Sequence, residues 1–319
     1  MITLPRNLTP DTRHPKPLFT LMKTNLACLV LLLTLLQTSC TRAEDALFVD
    51  GAPTLLEPAV DVVSDRILAA KWVNRVLRNP ADDLRAELIT VTSTDDPAFQ
   101  QGVRAARFSY WVRPTRYSLR SLINVKSTYV FAYLDQPLQA GRTYTVSVAG
   151  TNFITLSRAN GEPVPGGEGP LPTITFTYRG DNHRSTAVHV NQLGYLPERT
   201  KISYLTQHAG AEDAVKERPV DIDFSAVTSF RVVDAATGET RWEGQPALSK
   251  VCVNAEGQPI PDRLSQSRVW DLDFTAFQEP GRYRVVVPGV GASLPFSISP
   301  KIYNQAFGVL MRGAYHQRC

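Results

Sequence analysis

Asp271 and Asp273, in Trp270-Asp271-Leu272-Asp273, are the carboxylates best spaced to act as an acid and a base. On an extended strand, residues i and i+2 share a face about 6.6 Å apart, wide enough for a general acid and a general base with water between them. No neighbouring feature would raise one pKa above the other, and two carboxylates on one face of a half-exposed strand read as solvated surface. Asp221 and Asp223 read the same way. Tyr110, Trp111, Tyr117, Tyr129 and Tyr133 form a second candidate, since flat rings on a sheet can stack on sugars. Large aromatics fill cores before they mark sites, so most of these are expected inside. His14, His183, His189, His208 and His316 lack metal-ligand spacing among themselves or with Cys252. No serine nucleophile elbow, phosphate loop or dinucleotide fingerprint occurs. The formal charge of +4 is not gathered into a Lys/Arg block, which leaves no footprint for a nucleic acid.

With 319 residues, 43% hydrophobic and 20% charged, the chain is long enough for two globular domains of ordinary size. Its most apolar run, Leu26 to Leu36, follows Lys23 and is too short for a hydrocarbon core that needs about 20 residues. It reads as the apolar centre of an export signal within residues 1–40, with translation starting at Met22 after a polar, proline-containing lead. The signal ends in Leu36-Gln37-Thr38-Ser39-Cys40, which resembles a bacterial lipoprotein cleavage site with the lipid on Cys40. Gln37 departs from that pattern, which prefers an aliphatic residue there. The expected location is the periplasm or outer membrane, lipid-anchored or secreted. With Cys28 and Cys40 assigned to the signal, Cys252 and Cys319 remain, and no disulfide framework is expected.

After residue 45 the pattern is that of an all-β protein. Candidate strands at 59–63, 67–73, 86–92, 104–110, 128–134, 143–148 and 173–178 are separated by Asn79-Pro80, Asp95-Asp96-Pro97, Ala140-Gly141 and the Gly/Pro-rich stretch 161–172. About seven short strands at this spacing predict a sandwich over residues 46–180. Tyr144, Val146 and Val148 fall on one face of their strand and should be core. A polar connection, Arg179 to Ser185, precedes a second β pattern over residues 186–300. There Val188 and Val190 alternate with His189, Phe230 and Val232 with Arg231, and Tyr283, Val285 and Val287 with Arg284 and Val286. Each alternation predicts a sheet with one buried face.

The period changes at Pro300. Tyr303, Phe307, Leu310, Met311 and Ala314 form the stripe of an amphipathic helix over residues 301–319. No later helix in the sequence could cover that stripe, so the segment is expected to fray or to pack on the second sandwich.

Val190-Asn191-Gln192-Leu193-Gly194-Tyr195-Leu196-Pro197, followed by Lys201, resembles the opening of the immunoglobulin-like domain that precedes the catalytic barrel in many family 9 glycoside hydrolases. Thr237-Gly238 with Gly244, Val269 to Phe274, Gly281 to Val287, Ser293 to Ile298 and Tyr303 follow in that family's order. Tyr315-His316-Gln317-Arg318-Cys319 resembles the Tyr/Phe-x-x-Arg-Cys that ends the first barrel helix. The likeness spans roughly residues 187–319; residues 46–180 carry no assignable motif, although some bacterial members have an extra β-module upstream. The resemblance implies two tandem immunoglobulin-like β-sandwiches followed by the first helix of a truncated (α/α)6 barrel. It implies an exported β-1,4-glucan hydrolase, with an Asp activating water and a Glu protonating the leaving oxygen, both in the barrel. The family's Asp-Ala-Gly-Asp-like motif has no counterpart here, so no catalytic residue and no cofactor is expected in these residues. Cys319 resembles the first ligand of a zinc site found in some members. Implied partners are the catalytic barrel, β-glucan and, through the lipid, a membrane. The rival expectation is a carbohydrate-binding or surface-interaction lipoprotein without activity. Asn191 and Gln192, at a strand end beside Gly194, are expected to satisfy backbone groups rather than a ligand.

Overall fold

The computed structural model describes residues 59–77, 85–118, 123–149, 153–156, 162–211, 219–249 and 267–318. The export segment, Cys28, Cys40, Cys252 and Cys319 lie outside them.

Alternation builds the first core. In Thr143–Val148, Tyr144, Val146 and Val148 are buried while Thr143, Thr145 and Ser147 are not. Val146 stands opposite Val91 of Ile89–Ser93 on one side and Ile174 of Ile174–Thr177 on the other. With Val103–Arg104 these strands form a four-stranded sheet. Facing it are Ala59–Ser64, Ile67–Val73, Ile123–Tyr133 and Arg107–Ser118, hydrogen-bonded as neighbours in that order. Leu68, Ala70 and Trp72, with Val130 and Ala132, share one buried cluster with Tyr144 and Val146. A small third sheet joins Arg75–Leu77, Phe153–Leu156 and Pro163–Gly169.

The second sheet is covered on both faces. Ala69, Tyr129 and Phe131, which alternate with the residues just named, are also buried, in a cluster with Leu205, Phe230, Trp270 and Tyr283 of the second half. The stretches 68–73 and 129–132 are therefore core on both sides, and two clusters of apolar side chains sandwich them. The sheet also continues across the expected boundary. His208–Ala211 pairs with Arg107–Ser118, placing Ala211 opposite Tyr110, and Pro219–Asp221 adds a sixth strand.

The connection around residues 183–186 is likewise stitched into both halves. Val62 N–H donates to the Arg184 carbonyl (3.1 Å) and Thr186 N–H to that of Val62 (2.8 Å). Ser185 N–H donates to Ala292 O and Ala292 N–H to His183 O, both at 2.8 Å. The segment expected to be a polar linker is thus a paired strand-like bridge.

Beyond it, Val188–His189, Ile202–Leu205, Trp270–Asp273 and Ala247–Leu248 form one antiparallel sheet. Thr240–Gly244, Phe230–Asp234 and Gly281–Val287 form another, with Gly291–Ala292 and Phe296–Ile298 both on the last of these strands. Leu272 and Phe274 from one sheet meet Val232, Val285 and Phe296 from the other in the cluster described above.

The helix Asn304–His316 closes the described chain, and none of its residues is buried. Phe307, Leu310, Met311 and Tyr315 are 54–72% exposed, so the apolar stripe neither packs on a sheet nor draws on the roughly 1.5–3 kcal/mol that burial of each large side chain supplies. Deleting residues 304–319 should leave the melting temperature within about 2 °C of the parent and reduce self-association, as loss of an exposed apolar patch predicts. Calorimetry and sedimentation check this; a drop of several kcal/mol would make the helix integral to the fold.

Candidate functional site at the seam

The loop from Asn191 to Lys201 is held by its own side chains. Asn191 Oδ1 accepts from Leu193 N–H (3.0 Å), and the buried Tyr195 hydroxyl accepts from Asn191 N–H (2.9 Å) while donating to Ile202 O (2.8 Å). Burial pushes the Tyr195 phenol up to about 12, so it stays a donor at ordinary pH. Lys201 is fully buried and its ammonium donates to the carbonyls of Pro197 (2.5 Å) and Arg199 (2.8 Å). Burial lowers its pKa, with Asp273 opposing that shift. The loop then grips the chain leading into the helix: Tyr195 N–H donates to Ser297 O, Ser299 N–H to Tyr195 O, and Tyr303 Oη to Gly194 O (3.1 Å). Gly194 is required here, because at φ +96 a Cβ would lie 2.4 Å from Ser297 O. Asn191 and Gln192 do satisfy backbone, the latter with Nε2 donating to Val190 O (3.3 Å), and Asn191 Nδ2 also reaches the Tyr303 hydroxyl (3.4 Å).

A groove of about 540 Å³ runs along the seam between the six-stranded sheet and the second half. Its lining includes Trp111, Tyr129 and Phe131 together with Gln192, Gln207 and His208. Trp111 and His208 meet edge to face, ring centres 5.2 Å apart. Gln207 is fixed by the Thr186 hydroxyl (2.7 Å) and by donating to His208 O (2.6 Å). Thr206 and Ser267 share a hydroxyl hydrogen bond of 2.9 Å, and His189 Nε2 sits 3.1 Å from Thr206 O. Desolvation lowers the pKa of His208, and its Nδ1 is buried with no hydrogen-bond partner among the described residues. Arg184, also on the groove, pairs with Asp61 at 3.6 Å.

The residues singled out for chemistry are dispersed. Asp273 Oδ1 accepts from Thr275 N–H (2.8 Å) at an exposed position, whereas one oxygen of Asp271 is buried without a partner among the described residues. Burial raises the Asp271 carboxyl and Ser249 opposes the shift, so a feature that separates the two carboxylates does exist, contrary to the expectation of equal solvation. Asp223 accepts from Ser225 N–H and pairs with Arg268 at 3.1 Å. Tyr110 packs against the first core, Trp111 and Tyr133 against the second, and Tyr129 is buried in it. The side chain of Tyr117 lies outside the described residues. His183 is buried and its pKa lowered by desolvation, with Nε2 3.3 Å from Val60 O. Among the described residues no three His, Cys, Asp or Glu side chains come together as a metal site. In the sequence His189 and His208 come into question only as metal ligands and Gln207 not at all, because the groove that gathers them forms through pairing of His208–Ala211 with a strand about a hundred residues earlier.

Residues 183–292 match the cellulase N-terminal immunoglobulin-like domain family. Over 146 residues the chain is 27% identical to Endoglucanase D of Acetivibrio thermocellus, a stretch covering 46% of this chain and 18% of that protein. The chain therefore spans about a fifth of the length of the curated relatives it matches. Among solved structures, a metagenome-derived glycoside hydrolase family 9 endoglucanase is 32% identical, covering 41% of this chain and 21% of that one with a TM-score of 0.31. A family 9 glycoside hydrolase of Bacteroides ovatus is 23% identical, covering 41% and 19% with a TM-score of 0.29. The family match begins at His183, inside the stitched connection, and takes in the Asn191–Lys201 loop and the paired strands up to Ala292. Residues 183–292 thus resemble the immunoglobulin-like domain of the N-terminal part of cellulases.

Proposed function

We propose that this chain is the noncatalytic N-terminal portion of an exported endoglucanase-type glycoside hydrolase, whose complete form cleaves β-1,4-glucan with inversion. The immunoglobulin-like domain serves as a rigid mount for the catalytic barrel, which begins at the Asn304–His316 helix. One observation carries this reading: the helix is tied at its root through Tyr303, Ser299 and Tyr195, while its apolar face stands in solvent. Exposed Phe307, Leu310, Met311 and Tyr315 together form an apolar stripe of the kind that neighbouring helices cover. Export and the lipid on Cys40 belong to the same proposal and rest on the apolar run Leu26 to Leu36.

The test is a reducing-end assay of residues 41–319 on carboxymethylcellulose and mixed-linkage β-glucan. No release above blank is expected, because among the described residues no acid and base are placed together to act on a glycosidic bond. Turnover that disappears in Asp271→Asn or Asp273→Asn would overturn the noncatalytic reading.

A further inference from the structure

The groove at the seam has a chemistry of its own, distinct from the mount for a barrel. Its apolar lining is aromatic and aliphatic, with Trp111, Tyr129 and Phe131 from the first half and Val188 and Leu294 from the second. Its rim carries amides, hydroxyls and imidazoles. Net charge is nearly absent: Arg184 is paired with Asp61, and desolvation holds His208 toward its neutral form. Among the described residues a phosphate or carboxylate would find no unpaired cation there, and a purely apolar ligand would strand the rim's polar groups.

A sugar ring fits both requirements, since one face of a pyranose is C–H surface and its edge is a belt of hydroxyls that donate and accept. At about 540 Å³ the groove is inside the range of roughly 300–1,000 Å³ usual for small-ligand sites, with room for a short oligosaccharide. Trp111 and His208 lie in edge-to-face contact on the groove, ring centres 5.2 Å apart, which puts an aromatic ring and an imidazole side by side there.

We propose that the seam groove binds a short neutral oligosaccharide, with Trp111 beneath a sugar face and Gln192 and His208 on its hydroxyls. The site uses both halves of the chain, so the otherwise unassigned N-terminal half contributes its aromatic wall. The proposal stands on the groove's residues and does not depend on the hydrolase reading.

The test is isothermal titration of the full chain with cellohexaose, laminarihexaose and maltohexaose, each to millimolar concentration. Saturable binding of at least one is expected. Trp111→Ala should weaken it about tenfold or more, as loss of a buried aromatic contact implies. Because Trp111→Ala could disturb the seam, Gln192→Ala serves as the second variant: the residue is exposed, and the change should weaken binding several-fold at an unchanged melting temperature. A weakening in either folded variant supports the groove. No saturable binding of any of the three, or binding that neither variant alters, overturns the proposal. Glucan hydrolysis by the chain would sink the noncatalytic reading and leave this one standing, so the two failures are distinguishable.

Discussion

Gly210→Ala should destabilise the chain by about 3 kcal/mol or more and uncouple its two halves. Gly210 holds φ +75, where an L side chain costs about 1–2 kcal/mol, and its Cβ would fall 2.0 Å from the Tyr110 carbonyl oxygen and 2.6 Å from its carbon. Those are backbone atoms of the neighbouring strand, so no rotamer change relieves the overlap. The pairing of Ala211 with Tyr110 must open, and forced overpacking adds about 1–3 kcal/mol. Urea unfolding followed by circular dichroism and by tryptophan fluorescence should give one coincident transition in the parent and two separated ones in the variant. Gly141→Ala is the control, because Gly141 has φ +83 but nothing within 4 Å of the added carbon, and it should cost only about 1 kcal/mol. If the two substitutions behaved alike, strain at Gly210 would be local and the sheet across the halves would not be a structural splice.

Tyr195→Ala should cost about 4 kcal/mol. The ring is buried at 6% exposure, edge-on to Phe274 (5.2 Å) and Phe296 (5.3 Å), and large-to-small changes of an aromatic in such a core cost about 3–5 kcal/mol. Tyr195→Phe keeps the ring and removes only the hydroxyl that bridges Asn191 N–H and Ile202 O, for a loss of about 1–3 kcal/mol. Denaturant midpoints of the three proteins should fall in the order parent, Phe, Ala. A Phe variant as stable as the parent would mean that the hydroxyl bridge does not hold the loop closed.

Local pattern made much of the fold legible. Thr143–Val148 and Ile67–Val73 occupy the residues expected, the first through its two-residue alternation and the second through its β-branched and aromatic content. What the pattern could not convey was that Ile67–Val73 is covered twice. Its run Ile-Leu-Ala-Ala-Lys-Trp-Val shows little alternation, which is itself the mark of a strand buried on both faces, but a lysine in the middle argues for solvent. Lys71 is nevertheless buried at 6% exposure. Ala86–Leu88, expected as strand, is a turn of 3-10 helix, and Arg107–Ser118 runs eight residues past Tyr110 because a register shift between Pro114 and Arg116 accommodates the proline. Pro163–Gly169 looked like a separator for the reason that it is rich in glycine and proline, yet it pairs at the edge of its sheet, where missing donors are tolerated.

The site was less legible than the fold. The motif from Asn191 to Lys201 could be seen, and its structural role followed from a strand end next to a glycine. The groove could not, because its walls are brought together by contacts between residues far apart in sequence. His208 illustrates the difference: in the sequence it is a histidine without metal-ligand spacing, and only pairing with a distant strand sets it against Trp111.

The splice between Arg107–Ser118 and His208–Ala211 also has a consequence in time. A chain emerges from its amino end, at about 5–20 residues per second during synthesis. The edge of the first sheet at Tyr110 is complete only after Ala211 has followed, about a hundred residues later, which at that pace is about 5–20 seconds. Throughout that interval the edge offers unpaired backbone donors and acceptors, along with the uncovered Tyr129 and Phe131, to any strand that arrives first. The nascent first half is therefore the stage at which this protein is most open to pairing with a neighbour, and assistance at that moment should matter more to its yield than assistance after the chain is finished.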